Sequence, residues 1–146
     1  MKYGFISFFF LIFAPYIIRS AMVQQDYFLR ILEEFMAAIS RFLEKKEDKR
    51  DDAMKDLYRQ YVGDYELLRN MSVEELIEYS YEQWKPEERI DRLGMLAELL
   101  YTEGGYKTNP LRALLLDKSL LLFEYVDANS KTYSVDRKMK IQNLKA

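Results

Sequence analysis

Apolar residues recur every three or four positions along the chain from residue 23 onward. That spacing lines one face of an α-helix, whereas a strand would place apolar residues at every second position. No window shows sustained two-residue alternation, and the few glycines and prolines stand mostly at breaks between apolar segments. The pattern therefore predicts an all-α fold. The first predicted helix, within 23–46, carries the apolar residues Phe28, Ile31, Leu32, Phe35, Ile39, Phe42 and Leu43.

Residues that favour helix ends bound the later helices. Ser72 and Glu75 have the spacing of a capping box, in which each side chain accepts a hydrogen bond from the other residue's backbone amide. Pro86 suits the first turn of a helix, and the pair Gly104 and Gly105 predicts where that helix stops. The later helices are predicted over 53–69, from Ser72 to about Gln83, from Pro86 to the glycine pair, from Asn109 and Pro110 through Phe123, and from Ser134 onward.

Short breaks between these helices indicate antiparallel neighbours, so we expect a bundle of about five to six helices arranged as helical hairpins. One hairpin has a more specific pattern. Its first helix and turn resemble a tetratricopeptide repeat, whereas its second helix departs from that pattern, because placing Ser119 at the small position leaves about three extra residues between the helices. No second repeat is visible at the 34-residue period of that motif. The residues that carry the resemblance are Leu96, Ala97, Leu100, Tyr101, Gly104 and Tyr106.

The two ends of residues 22–145 resemble a family of small, all-helical bacterial proteins of unknown function, which are similar in shape to tetratricopeptide proteins. At one end the resemblance lies in Met22, Gln24, Gln25, Asp26, Tyr27, Arg30 and Glu33; at the other it lies in Leu122, Glu124, Tyr125, Ser130, Lys131, Thr132, Ser134, Arg137, Lys140 and Ile141. Members of the family begin at a residue that matches Met22. The resemblance implies a helical domain and carries no established activity.

Residues 1–21 differ from the rest, because no charge occurs between Tyr3 and Ile18. Lys2 and the apolar run after it resemble the start of a secretory signal. As a membrane span the uncharged stretch reaches only about 24 Å, short of a hydrocarbon core of about 30 Å. Three interpretations stay open: an upstream extension before a native start at Met22, a signal or anchor, and a core helix. We predict a single helical domain over 22–146.

The chain has no cysteine and no histidine. This composition excludes disulfides, thiolate nucleophiles and the usual His-dependent general base or metal site. The carboxylate clusters fall where solvated helix faces are expected, and no glycine pattern fits a phosphate-binding loop. We therefore expect no catalytic residues, no metal and no cofactor, and a protein that is not an enzyme.

Charge is unevenly distributed along the chain, which has a formal net charge of −2. Residues 64–103 carry a net −7 and residues 130–146 a net +4. An acidic chain is a poor general binder of nucleic acid, and the basic tail is typical of a solvated helix end. We expect no nucleic-acid partner, and a membrane partner only if residues 1–21 are native. The expected location is the cytoplasm, with an anchored or exported protein as the alternative.

Aromatic residues near the end of the third predicted helix are the candidate partner-binding site. Tyr79, Tyr81 and Trp84 cannot all lie on one side of so short a helix. Tyrosine and tryptophan often anchor protein interfaces, although packing against the second or fourth helix would also account for these three residues. The expected function is a non-enzymatic module that holds another protein, or a second copy of itself, against a groove between helices.

Overall fold

A computed structural model describes residues 27–146, and none of these residues lies in a β-strand. The predicted all-α fold is thereby confirmed for the described part of the chain. The segment 1–21 lies outside the described residues. The helices are α1 over residues 27–43 of the described range, α2 Glu47–Tyr61, α3 Tyr65–Asn70, α4 Val73–Gln83, α5 Pro86–Tyr106, α6 Leu111–Asn129 and α7 Val135–Lys145.

Contacts divide the chain into two compact units, Met1–Ser40 and Arg41–Ala146. In the described part of the first unit, residues 27–40 are helical, and the side chains of Phe28, Phe35 and Ile39 are buried. These three residues belong to the apolar series that predicted the first helix. The extent of a single domain over 22–146 stays a prediction.

In the second unit α5 is the central helix, because it packs against α2, α4 and α6. Leu93, Leu96, Leu99 and Leu100 of α5 are fully buried. Residues at such successive positions point to several sides of a helix, so α5 must be surrounded rather than covered on one face. It therefore forms the core around which α2, α4 and α6 are arranged.

The helices α5 and α6 form an antiparallel hairpin. The Ser119 hydroxyl donates a hydrogen bond to the carbonyl of Ala97 at 2.9 Å. Near the turn, a Cβ added to Gly104 would lie 2.7 Å from Leu116 Cδ2, while at the far end Gly94 faces Val126. The small residues permit this close approach of the two backbones. The hairpin prediction is confirmed, whereas its likeness to a tetratricopeptide repeat stays a prediction.

The predicted helix over 53–69 is wrong in its extent, because two helices occupy this part of the chain. The first, α2, already begins at Glu47 and ends at Tyr61, and α3 begins at Tyr65. Between them Gly63 has φ of +144°, a backbone conformation that residues with a Cβ rarely adopt. A Cβ at this position would also lie 2.7 Å from the Tyr79 hydroxyl. The turn therefore needs glycine.

Two predicted helix starts are confirmed by hydrogen bonds. Ser72 and Glu75 form the capping box of α4, and the Ser134 hydroxyl accepts a hydrogen bond from the Arg137 amide at the start of α7. The predicted stop at Gly104 is wrong, since α5 continues to Tyr106. The close contact of Gly104 with Leu116 explains why a glycine occupies a helical position.

Ion pairs attach α7 to its neighbours. Arg137 and Lys138 lie 2.8 and 2.5 Å from the two carboxylate oxygens of Asp127 in α6. Lys140 lies 2.6 Å from Glu98 in α5. Only Ile141 among the residues of α7 is buried. The basic groups of the C-terminal segment are thus largely engaged with acidic groups of the same chain.

Candidate protein-interaction face

The three predicted partner-binding residues do not form one surface. Tyr79 and Trp84 pack edge to face, with ring centroids 5.4 Å apart, and both are partly buried. The Tyr79 hydroxyl lies against Gly63 in the α2–α3 turn, and burial raises the pKa of this phenol. Tyr81 follows Tyr79 by two residues, which places it on a different side of α4. The structure therefore separates Tyr81 from the other two.

Tyr81 is 65% exposed, and its ring is held by a buried arginine. The guanidinium carbon of Arg89 lies 3.8 Å from the centre of the Tyr81 ring, a cation–π contact. Arg89 itself donates hydrogen bonds of 3.0 Å to the hydroxyls of Ser80 and Tyr125. A hydrogen bond with Tyr125 raises the pKa of Tyr81. The contacts of Arg89 thus fix an exposed aromatic ring in place.

A row of side chains on α6 continues from this aromatic group. Leu114, Lys118, Leu121 and Tyr125 are spaced four, three and four residues apart, so they share one side of the helix. Leu114 is 59% exposed and Leu121 is 55% exposed. Tyr125 joins the row to Tyr81 through Arg89. We call Tyr81, Leu114, Leu121 and Tyr125, together with Lys118, the α4–α6 face.

Carboxylates flank this face on both sides. On α4, Glu74 and Glu78 precede Tyr81 by seven and three residues and therefore lie on its side of the helix. On α6, Asp117 and Glu124 precede Lys118 and Tyr125 by one residue each and lie toward the outer edge of the row.

Lys118 is the cation within the row on α6, in addition to the buried Arg89 beneath Tyr81. Its ammonium donates a 2.6 Å hydrogen bond to the carbonyl of Arg69, and burial lowers its pKa. Lysine at this position therefore serves to join α6 to the end of α3. The acidic residues therefore determine most of the electrostatic potential around the face.

A second cluster encloses a buried carboxylate between α3 and α5. Glu103 is fully buried; it accepts hydrogen bonds from the Tyr65 hydroxyl at 2.5 Å and from Arg69 Nε at 3.0 Å. Burial and the bond to Glu103 raise the pKa of Tyr65. The ring of Tyr58 packs edge to face on Tyr65 at 5.0 Å. Because its carboxylate is sealed from solvent, this cluster has the character of a structural ion pair rather than of a site for substrate.

Other chemistry has less support in the described residues. No group of three carboxylates within residues 27–146 is arranged to hold a metal ion. An open surface cleft of about 370 Å³ borders the α2–α3 turn, where Lys55, Arg59, Asp64 and Glu66 line it with charges of both signs. Over the same described range, no helix has the length and apolar character needed to cross a membrane.

Sequence reasoning identified Tyr81 but missed the residues that complete the α4–α6 face. Arg89 reaches Tyr125 across 36 positions of sequence, so no local pattern reveals it. Leu114 lies in the helix predicted from Asn109 and Pro110 through Phe123, where it is one apolar position among several. The uninterrupted apolar runs 114–116 and 120–123 could have indicated exposed leucines. Such runs place leucines on more sides of the helix than one neighbouring helix covers.

Comparison with known proteins adds no relative. No protein-family model, no curated protein and no solved structure matches this chain. The function is therefore argued from the side chains of the chain itself.

Proposed function

We propose that the protein is a non-enzymatic helical module that binds a protein partner through the α4–α6 face. The observation that carries the proposal is the Tyr81 ring, which is 65% exposed and yet fixed against the buried Arg89. A ring that is already ordered loses little conformational entropy when a partner covers it. Tyrosine and arginine are also the residue types most enriched among strongly contributing interface positions.

The leucines beside Tyr81 support the same proposal. Leu114 and Leu121 expose more than half of their side chains, although aliphatic groups gain free energy when they leave water. On the described surface they lie in one row with Tyr81 and Tyr125 rather than singly. Such a row offers a partner an apolar contact with an aromatic anchor at one end.

The test is affinity capture with the full chain, tagged at its C-terminus, from cells of its natural host. The Tyr81→Ala variant is compared with Tyr133→Ala, which removes the same side chain from a site that is 77% exposed and outside the face. We expect the Tyr81 variant to lose at least about 80% of a captured protein, since truncation of an anchor residue costs on the order of 2 kcal/mol. The Tyr133 variant should retain it.

Equal capture by the wild type and both variants would contradict the proposal. Self-association is measured in the same experiment by adding a second copy of the chain with a different tag. Recovery of that copy, again dependent on Tyr81, identifies a second copy as the partner. Sedimentation of the purified chain then gives the stoichiometry.

We propose the cytoplasm as the place where the module acts. The charged amphipathic pattern begins directly after Met22, the residue that matches the first residue of the bacterial family that the chain resembles. Mass spectrometry of the protein from its natural host, together with cell fractionation, tests this location. Recovery in the membrane or exported fraction would contradict it and favour the anchored or exported alternative, whereas a native N-terminal peptide that contains Phe8–Phe10 would rule out a start at Met22.

A further inference from the structure

We infer that the segment that occupies the α4–α6 face is a basic amphipathic helix of another protein. The inference rests on the proposed function and specifies the chemistry of the partner. Two features carry it: the spacing of the apolar side chains on the face, and the charges that surround them.

The spacing suits a helix. The row from Leu114 to Tyr125 extends for about 16 Å along α6, or about three turns of a helix laid beside it. Its members project at intervals of four, three and four residues, which is the pattern of a ridge on a helix surface. Side chains at positions i, i+3 or i+4, and i+7 of a partner helix fit against such a ridge. Leu114 and Leu121 then contact apolar side chains, and Tyr81 closes one end.

The charges require a basic partner. Glu74, Glu78 and Asp117 are exposed and form no ion pair within residues 27–146. Glu124 has only a 3.7 Å contact with Lys145. Against these four carboxylates stand two cations: Lys118, whose ammonium donates to the Arg69 carbonyl, and Arg89, which is buried beneath the Tyr81 ring. Lysine or arginine on both sides of the partner's apolar stripe would complement this surface, whereas acidic side chains would be repelled.

The chain itself is poorly suited to supply that helix. Its most basic described helix is α7, where Arg137, Lys138 and Lys140 are paired with Asp127, Glu98 and Asp136. A second copy would have to break these pairs before its cations reached the acidic residues of the face. The charge pattern thus favours a different protein over self-association.

The experiment measures binding of synthetic peptides to the purified full chain by fluorescence anisotropy. One peptide of about 18 residues has leucines along one helical face and lysines elsewhere; a second has glutamate in place of every lysine. A third has the lysine peptide's composition in an order without helical spacing. We expect the ordered lysine peptide to bind at least tenfold more tightly than either of the others, and more weakly as salt is raised.

Variants of the chain then locate the binding site. Leu114→Ser with Leu121→Ser should weaken binding of the lysine peptide at least tenfold. Glu78→Lys with Asp117→Lys should weaken the lysine peptide and strengthen the glutamate peptide. The matched control is Asp52→Lys with Asp56→Lys, which makes the same change of charge on exposed residues of α2 and should alter binding less than threefold.

Other outcomes overturn the inference without touching the proposed function. If no peptide binds while capture of a partner still depends on Tyr81, the module binds something other than a basic helix. The inference is also wrong if the lysine and glutamate peptides bind equally well. It is wrong too if the Glu78 and Asp117 reversal changes binding no more than the control reversal on α2. Recovery of only a second copy in the capture experiment also overturns it. If the Tyr81→Ala variant captures the partner as well as the wild type does, in contrast, the proposed function itself is wrong.

Discussion

Two of the clusters in the unit Arg41–Ala146 that bring an arginine against a tyrosine differ in their exposure to solvent. Between α3 and α5, Tyr65 and Arg69 close over the carboxylate of Glu103, which is 0% exposed. Beside α4, Arg89 is buried, while the Tyr81 ring stacked on it is 65% exposed. In the first cluster the charged groups satisfy one another inside the fold. In the second the buried charge positions a side chain that faces solvent.

The two clusters differ as a structural polar cluster differs from a candidate binding site. A carboxylate sealed from solvent must be satisfied internally, because its charge would otherwise lack the hydration that it had in the unfolded chain. An ordered but exposed aromatic ring has no such requirement in the free protein. Substitutions in the first cluster should therefore change stability, whereas those in the second should change binding more than stability.

The largest effect is expected at Glu103. Replacing it with alanine leaves Arg69 and the Tyr65 hydroxyl without their acceptor, so the free energy of unfolding should fall by about 3–5 kcal/mol. Glu103→Gln keeps the shape and one acceptor, and should cost about half as much. Urea unfolding followed by circular dichroism measures both variants. A loss below about 1 kcal/mol for Glu103→Ala would show that the cluster is not the structural site that the comparison requires.

Two tyrosines of the sealed cluster provide a sharper contrast. Tyr65→Phe removes a donor to a buried charge and should cost about 1.5–3 kcal/mol. Tyr58→Phe removes a buried hydroxyl that has no hydrogen-bond partner among the described residues, so unfolding free energy should stay unchanged or rise by about 1 kcal/mol. The chemical change is identical, and the ring contact between the two is kept. Urea unfolding of the two variants side by side measures the contrast; equal losses would mean that the Glu103 bond contributes nothing specific.

Local features of this fold were predictable, and contacts distant in sequence were not. The capping box at Ser72 was found because its residues are three positions apart and interact without the rest of the fold. The division at Gly63 was missed because its need for glycine depends partly on Tyr79, which approaches from α4. Tyr81 was identified as a candidate from its residue type and position alone. The contacts of Arg89 and the exposure of Leu114 depend on which helices pack together. The apolar pattern of α6 does not distinguish the sides of the helix that are covered from the side that is exposed.

An intermediate effect is expected at Arg89, which separates the two roles within one cluster. Arg89→Met keeps the length of the side chain and removes its hydrogen bonds to Ser80 and Tyr125. Unfolding free energy should fall by about 1–2 kcal/mol, and partner capture should fall as well, because Tyr81 loses the group that positions it. The control Arg59→Met changes an exposed arginine of α2 and should shift stability by less than about 0.5 kcal/mol. Full capture by a folded Arg89→Met variant would break the link between the buried charge and the exposed ring.

The smallest effect is expected at Asp127, an ionic contact outside both clusters. Hydrogen bonds from Lys138 and Arg137 hold the pKa of this carboxyl below its ordinary value of 3.8. A folded-state pKa below the unfolded value means that the ionised form stabilises the fold above about pH 4. That contribution disappears as the pH falls through the lower, folded-state pKa.

Asp127→Asn should therefore reduce unfolding free energy by less than about 1 kcal/mol at pH 7, since paired charges near the surface contribute little. The difference between wild type and variant should shrink as the pH is lowered from 4 toward 2, because the protonated aspartic acid then resembles asparagine. Urea unfolding of the two proteins at matched pH values measures this difference. A difference that stays constant over that range would show that the ionised form of Asp127 does not carry the effect.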